Sequence, residues 1–528
     1  MLLIQNNRPV LNEHLRRKRW VMLDSQSAVA AFGRLGRHVL KQRHEPERLA
    51  NQALLIQNNS RKSLDLYSAW FARKALVPVL LGSIFSGLAV SLQSIGVRNR
   101  TAEKAKQQIR PDILFIGHLT NAEHLSSRYD MYYGDLPELC AGEGLSVQRL
   151  WINQTRKELT TDECKNAPDI PVLSRRLPMA DELGMFFRLC WDAIRILRGS
   201  TIGLDIEDSS ASEIRRHRWF IAATHMGHRT MSALRIASQL ANFIQQTRPR
   251  VVLFTYEGQS WERVLCKLVH DQMQDVYMVG YQHSVLTPGL RNIDVRLGAG
   301  CDPDHILTAG RVTRAILLDQ SHFNANEIDV LGSPKAINVE NVKVQSFSGT
   351  VLGVPEGQLS EVRIISEWLL TGAGANGDVK FVLRLHPLTS KTDVLKHCPE
   401  LKSAPKNFEI SDAPLQEDLE AASWLLYRGS SIVLNALVKH VRPIYVDSDN
   451  SHVFTNIVDP SLKWCRIFQN ADQLTAQINE DRINGGVASQ TEAEALAKAS
   501  KYGTDYFVPF DLSPIFGVLK AQSVKQKV

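Results

Sequence analysis

From Pro111 onward the sequence alternates short apolar, β-branched runs with longer stretches whose apolar residues recur at helical spacing. In the first half the strand-like runs are PDILFIGHL (Pro111–Leu119), a run following the helical pattern LPELCAG, RPRVVLFTYEG (Arg248–Gly258), VYMVGYQHS (Val276–Ser284), HILTAG and EIDVLGSP (Glu327–Pro334). Helical patterns at 181–198, 214–247 and 260–275, and another from Arg311, separate them. The pattern then restarts with TVLGVPEG, a helical stretch over 359–371, VKFVLRLHP (Val379–Pro387), FEISDA, PLQEDLEAA, SWLLYRG (Ser423–Gly429), SSIVLNALVKH and RPIYVD (Arg442–Asp447). Strands alternating with helices in this way predict βαβ units and parallel sheets, hence an α/β class. Two successive sets predict two Rossmann-like domains, over 111–340 and 341–528, the second carrying the C-terminal helices. The weakly patterned stretch Lys335–Ser348 is the expected linker.

The first 110 residues read differently. They hold 19 Lys/Arg against 6 Asp/Glu, a net of +13, whereas the remainder has 43 against 49, so the overall excess of +7 lies entirely in this segment. A basic appendage of this kind meets an anionic surface. Ala75–Val97 contains no charged residue and has basic residues on both flanks, which predicts a segment lying on or inserted into a membrane rather than crossing it cleanly. Nucleic acid is not the expected partner, because no reading motif or interleaved aromatics accompany the charge. The seven cysteines are scattered without a CxxC pair, which argues against a structural zinc site or a secreted disulfide framework. With no secretory signal pattern at the start, the expected location is the cytoplasm, at the cytoplasmic face of a membrane.

Ligands of open α/β sheets bind beyond the carboxyl ends of the strands, so the residues there carry the chemistry. Glu257, between Tyr256 and Gly258 after VVLFT, is a carboxylate in a turn open to close approach and suits a general base acting on an acceptor hydroxyl. An N-cap or turn acid is its plainer alternative. His283, after VYMVGYQ, could serve as base, acid or phosphate ligand, or as a structural histidine. His118 ends the first run. In the second half, Arg384, His386 and Pro387 close one strand, with Arg384 and His386 two apart on one face, fitted to a phosphate leaving group by charge and by proton donation. Arg428, Gly429, Ser430 and Ser431 end another strand and open a helix, where hydroxyls and backbone N–H groups can hold an anion or simply cap the helix.

Two sequence patterns do not qualify. The GAGANG run at 372–377 has the spacing of a dinucleotide fingerprint but follows a helix and precedes a strand, the reverse of the required order. Asp302-Pro303-Asp304 precedes its strand with proline in the middle, and no other cluster suggests a divalent ion. No cofactor or metal is expected.

Taken in order, the Tyr256-Glu257-Gly258 turn, the His386-Pro387 pair and the Ser430-Ser431 pair resemble the motif trio of bacterial GT-B sialyltransferases and polysialyltransferases. The capsule-type Kdo transferases share the arrangement and also use CMP-sugars. The run YEGQSWERVL to EIDVLGSPK is similar to bacterial proteins of O-antigen and capsule biosynthesis. The resemblance implies a GT-B enzyme, with two Rossmann-like domains facing across a cleft behind an N-terminal helical appendage. It further implies metal-independent transfer of a sugar from a nucleotide sugar, CMP-linked by preference, to a surface glycan or a lipid-linked precursor. By position, Glu257 would be the base, His386 would assist the departing CMP phosphate, and Ser430 and Ser431 would bind it. The sialyltransferase turn has two acidic residues before glycine, and here the first is Tyr256. The GYQHS segment also resembles the catalytic-histidine turn of CDP-glycerol polyol-phosphate transferases, in which reading His283 is the base. A non-catalytic carbohydrate-binding protein of the same fold is the third alternative.

Overall fold

The computed structural model describes residues 110–525, apart from 156–158, 160–168, 199–221, 223–225, 227, 287–291, 295, 299, 321–322, 337–348, 388, 448–455 and 484–489. The basic segment before Arg110, its apolar stretch Ala75–Val97 and most of the expected linker therefore lie outside the described residues.

The chain builds two parallel sheets. The first contains β1 (Ile113–Leu119), β2 (Val147–Asn153), β3 (Val251–Thr255), β4 (Tyr277–Gln282), β5 (His305–Thr308) and β6 (Ile328–Val330), in the order β2-β1-β3-β4-β5-β6. The second contains β7 (Thr350–Val354), β8 (Lys380–Arg384), β9 (Phe408–Ser411), β10 (Trp424–Tyr427), β11 (Arg442–Val446) and β12 (Arg466–Phe468), in the order β12-β11-β10-β7-β8-β9. The two Rossmann-like domains of a GT-B architecture are thus present, with each half of the sequence pattern supplying one sheet.

The reason lies in the composition of the strands. A parallel sheet is covered by helices on both faces, so its central strands must be apolar on both sides. Every residue of β1 and of β3 is buried. Alternate side chains enter opposite layers. Leu114, Ile116, Val252 and Phe254 join one cluster, whereas Ile113, Phe115, Val251 and Leu253 join the other. The second sheet repeats the division, with Leu352, Leu425 and Tyr427 on one side and Val351, Trp424 and Leu426 on the other. Strand order reverses between β1 and β3 in the first domain and between β7 and β10 in the second. These are the points at which such sheets open a crevice.

The end of the chain departs from the expected division. The helix Gln490–Tyr506 stays on the second domain, where Gly503 is close enough to the helix Ile432–Val438 that an added Cβ would lie 2.9 Å from the Leu434 carbonyl oxygen. The chain then crosses back. Val508 donates its N–H to the Ala309 carbonyl (3.1 Å), Ser333 donates to the Val508 carbonyl (2.8 Å), and Asp511 donates to that of Leu331 (2.8 Å). The last helix, Ser513–Lys525, buries Ile515, Val518 and Leu519 in the cluster of Phe115 and Leu253, so it belongs to the first domain. Arg250 fastens it by donating to Gln522 Oε1 (3.2 Å) and Ser523 Oγ (2.9 Å), and Lys525 donates to Asp304 (2.8 Å). Amphipathic spacing marks such a helix but does not name the face it covers. The glycine-rich run at 372–377 also differs from expectation. Its first four residues complete the helix Leu359–Ala375, and an added Cβ on Gly372 would lie 2.6 Å from the Phe381 ring.

Among the described residues no helix is long and apolar enough to cross a membrane.

If the last helix is part of the first domain's core, Leu519→Ala should cost about 3 kcal/mol, as a buried leucine truncation does. Urea unfolding followed by circular dichroism measures it, and a loss within about 0.5 kcal/mol of zero would mean that the helix is only loosely docked.

Candidate active site at the junction of the domains

The carboxyl ends of β1, β3 and β4 bring a buried His118 and the half-buried Glu257 and His283 into one electrostatic cluster. His118 occupies the last turn of side chains on β1, across the strand-order reversal from Thr255. Gln154 donates to its Nδ1 (2.7 Å), which leaves the ring proton on Nε2, in contact with Thr255 Oγ1 at 2.8 Å. Burial, aided by the nearby His283, depresses His118 to about 3, against a smaller opposing effect of Glu257. It is therefore a neutral imidazole at neutral pH.

Glu257 follows β3. Gln259 donates to its Oε2 at 2.8 Å, and its own N–H donates to Glu262 (3.0 Å). Burial works to raise its carboxyl, but His283, hydrogen bonds from Ser284 and Gln259, and His118 together hold it below the ordinary carboxylate value. The neighbouring Glu262 goes the other way. Burial and the charge on Glu257 push it up to about 8, although its Oε2 accepts the N–H groups of Glu257 and Gln259 in a capping box. The two carboxyl groups thus sit in opposed environments, one kept ionised and one capping the helix Ser260–Gln272. The capping function expected as the alternative for Glu257 falls to Glu262.

Glycine makes this turn possible. Gly258 has a φ of +76°, and an added Cβ would lie 2.6 Å from the carbonyl carbon of Asn292. The segment at Asn292 is held in turn by Arg263, which donates to the Asn292 carbonyl (3.0 Å) and pairs with the buried Asp302. Asp302 is thereby accounted for as the partner of an arginine. No group of metal-ligating side chains occurs among the described residues.

His283 lies just past β4. Burial depresses it to about 4; Glu257 opposes that shift, and Lys335 reinforces it. Its ring meets Tyr132 edge-on, with centroids 4.6 Å apart, and Tyr132 also meets His118 edge-on at 5.2 Å. Burial, with Glu257 and Asp130 nearby, pushes the Tyr132 hydroxyl up to about 12. Tyr132 was not apparent from the sequence because it lies in a turn between two short helices. The turn is fixed by Asp130, whose carboxylate accepts the N–H groups of Tyr132 (2.8 Å) and Tyr133 (3.1 Å) and the indole N–H of Trp151 (3.2 Å). Gly117 admits that carboxylate, since a Cβ there would overlap Asp130 Oδ2. The Gly-His pair at the end of β1 was the available signal.

Some expected site residues are placed elsewhere. Tyr256 is fully buried beneath the Arg263 guanidinium, 5.2 Å from its ring centroid, and against Gly280 of β4. It is a core residue. Arg428 is 1% exposed and paired with Glu361 inside the second domain, 3.2 Å away, so its charge does not face a ligand. Arg384 donates to the Ala413 carbonyl (2.6 Å) and to Asp418 (2.7 Å), and braces the loop after β9 rather than standing free for an anion.

His386 and the serine pair remain at strand ends of the second sheet. His386 packs against the loop after β7, where an added Cβ on Gly357 would lie 3.0 Å from Nδ1, and Glu356 of that loop is within its electrostatic reach. Thr389 secures the loop by donating its N–H to the His386 carbonyl (2.8 Å), leaving Pro387 exposed at its tip. Ser431 begins the helix Ile432–Val438 without a side-chain capping bond, and Ser430 Oγ is 3.4 Å from the N–H of Ile432. Gly429 links these serines to β10. The loop after β4 joins the halves. Val285 packs against the second domain's cluster of Val354, Tyr427 and Val433, and Leu286 donates its N–H to the Tyr506 hydroxyl (2.9 Å).

No protein-family model matches the chain, and no curated protein sequence matches it. Solved structures of similar architecture include the glycosyltransferase of kitacinnamycin, at 12% identity over 80% of this chain and 99% of that one, with a TM-score of 0.44. The UDP-GlcNAc 2-epimerase of Neisseria meningitidis bound to UDP-GlcNAc is similar at 12% identity over 78% and 99%, with a TM-score of 0.43. MurG of Acinetobacter baumannii is similar at 10% identity over 79% and 100%, with a TM-score of 0.40. At these values the likeness is one of general shape, and residue roles rest on this chain's own geometry.

Two outcomes follow from the cluster. Gly258→Ala should destabilise the protein by about 2 kcal/mol or more through its left-handed backbone and the Asn292 contact, read as a fall in melting temperature; an unchanged melt would contradict the turn geometry. His118 and His283 are held neutral in the fold at pH values where the unfolded chain binds protons. Stability should therefore fall as pH drops from about 6.5 toward 4. The His118→Asn/His283→Asn double variant should show a shallower dependence of stability on pH over this window, and an identical slope would refute the buried neutral assignment.

Proposed function

We propose that this protein is a glycosyltransferase that uses a nucleotide-sugar donor. The observation that carries the reading is the grouping of Glu257, His283 and His118 at the carboxyl ends of the first sheet's strands, with Glu257 ionised at neutral pH and the imidazoles neutral. An acceptor hydroxyl delivered to Glu257 would lose its proton to that carboxylate as its oxygen bonds the sugar's anomeric carbon. The bond from that carbon to the phosphate oxygen breaks, and its electron pair leaves with the nucleotide. His386, with the hydroxyls of Ser430 and Ser431, would receive the phosphate on the side of the second domain. The order of the motifs favours a CMP-sugar donor and a surface glycan or lipid-linked glycan as acceptor, with the basic segment before Arg110 holding the enzyme at a membrane.

The electrostatic influence of Glu257 on His283 supports a second reading. In a polyol-phosphate transferase His283 would take the proton and Glu257 would orient the ring, giving a phosphodiester rather than a glycoside.

A thermal-shift screen against CMP, CDP, UMP, UDP, GDP and their sugar conjugates separates these readings. Ligand at about 100 times its Kd stabilises the fold by roughly 2.7 kcal/mol. A shift with CMP that is lost in His386→Ala is expected. Glu257→Gln should then reduce transfer by about 100-fold or more while leaving donor binding intact, as loss of a general base does. A response to CDP alone, with transfer abolished in His283→Ala but tolerated in Glu257→Gln, would favour the polyol-phosphate reading. No shift with any nucleotide in a folded sample would overturn both.

A further inference from the structure

The helix Met179–Leu197 has one buried stripe and one exposed stripe, and Glu182 fixes which is which. The Glu182 carboxylate is fully buried and pairs with Arg235 of the helix His228–Thr247. The guanidinium donates to Glu182 Oε2 at 3.0 Å, and the Leu177 N–H donates to Oε1 at 3.0 Å. Phe186 and Leu189 follow on the same side and pack with Met231, and Ala193 is buried beyond them. Positions 182, 186, 189 and 193 recur at helical spacing, so they form one continuous stripe. The helix is tied to the domain that carries Glu257. Gln239 donates to the Ser174 carbonyl (2.9 Å), and Leu173 donates its N–H to Trp151 of β2 (2.8 Å).

The other stripe is exposed and apolar. Phe187 is 62% exposed, Trp191 55% and Ile194 40%, at spacings that set them side by side on the helix. Single exposed apolar side chains are ordinary on a protein surface, but three bulky ones in register form a patch. The charges around it have one sign. Arg188 flanks the patch and Arg198 lies one turn beyond Ile194, both exposed. Of the carboxylates in the helix, Glu182 and Asp192 are buried, and Asp181 is exposed only in the first turn. From Gly184 to Arg198 the described side chains therefore show solvent an apolar patch and arginines, with no exposed carboxylate.

We propose that this face rests on an anionic lipid surface. Phe187, Trp191 and Ile194 enter the boundary between headgroups and acyl chains, and Arg188 and Arg198 meet lipid phosphates. An indole suits that boundary, since its ring is apolar and its N–H polar. Charge complementarity selects the occupant. Arginines without an exposed carboxylate among them gain from negative headgroups, whereas a second copy of the same face would bring them no counter-charge. The segment before Arg110, with 19 Lys/Arg against 6 Asp/Glu, is suited to the same surface, and contact at two places sets orientation as well as attachment. The helix would thereby hold the domain of Glu257 at the lipid. The proposal is independent of the reaction assigned to that cluster, because none of its residues lies at a strand end.

The test uses the full-length protein and vesicles of phosphatidylcholine, with or without about 30% phosphatidylglycerol. Cosedimentation measures partitioning, and melting temperatures verify folding. Phe187→Ser/Ile194→Ser should bind the anionic vesicles about tenfold or more weakly than the wild type. Arg188→Gln/Arg198→Gln should lose about fivefold or more on anionic vesicles and nothing on neutral ones. Insertion of this helix is read separately from that of the segment before Arg110 by tryptophan quenching with lipids brominated on their acyl chains. The quenched amplitude should fall by about a third or more in Trp191→Phe. Equal quenching in the wild type and Trp191→Phe, or partitioning of Phe187→Ser/Ile194→Ser within about twofold of the wild type, would overturn the proposal. So would a dimer in sedimentation that Phe187→Ser/Ile194→Ser dissociates, which would assign the face to a second copy of the chain.

Discussion

Val508 gives its N–H to Ala309 and its carbonyl to Ser333, and the placement of the loops after β5 and β6 depends on that exchange. The two backbone bonds anchor the return of the chain from the second domain to the ends of β5 and β6. Close approach requires that neither Gly310 nor Gly332 carry a side chain. A Cβ on Gly310 would lie 2.1 Å from the Tyr506 carbonyl oxygen, as one on Gly332 would meet Pro509. With the crossing fixed, Tyr506 can accept the N–H of Leu286 and thereby tie down the loop that begins at His283. The loop of Lys335 is fixed by the same crossing. Two domains that could otherwise move independently are thus tied together beside the carboxyl ends of their strands.

Within that junction the electrostatics are organised by burial rather than by direct ion pairing. His118 and His283 are both held neutral by lost solvation, while Glu257, though equally enclosed, keeps its charge because polar neighbours surround it. Glu257 is therefore ionised at neutral pH among imidazoles that carry no charge there. Tyr132 and Trp261 both meet the His118 ring edge-on without supplying a competing charge, since the Tyr132 hydroxyl remains protonated. Glu262 completes the scheme by capping the helix Ser260–Gln272, which frees Glu257 from a structural duty.

The parts of this arrangement that could be read from the sequence are those generated by the sheets. Apolar runs that stop abruptly at polar turns mark where β3, β4, β8 and β10 end, so Glu257, His283, His386 and Ser430 were found at strand ends as the pattern indicates. Orientation was not legible. Tyr256 and Arg428 adjoin the same strand ends but turn inward, to Arg263 and Glu361, because alternation along a strand sends neighbours to opposite sides. Residues delivered by loops were equally hidden. Tyr132 depends on the buried Asp130 carboxylate, and the loop after β6 on a contact with Val508, far away in the chain. The destination of the last helix had the same obstacle, since its apolar face would suit either domain.

The division of labour between the domains follows from these placements. The first sheet presents an ionised carboxylate beside neutral imidazoles. The second presents loops with hydroxyls and a histidine, while its two nearby arginines are already committed to Asp418 and Glu361. With Arg384 and Arg428 held in those ion pairs, the strand ends of the second domain offer hydroxyl and imidazole groups rather than a guanidinium clamp.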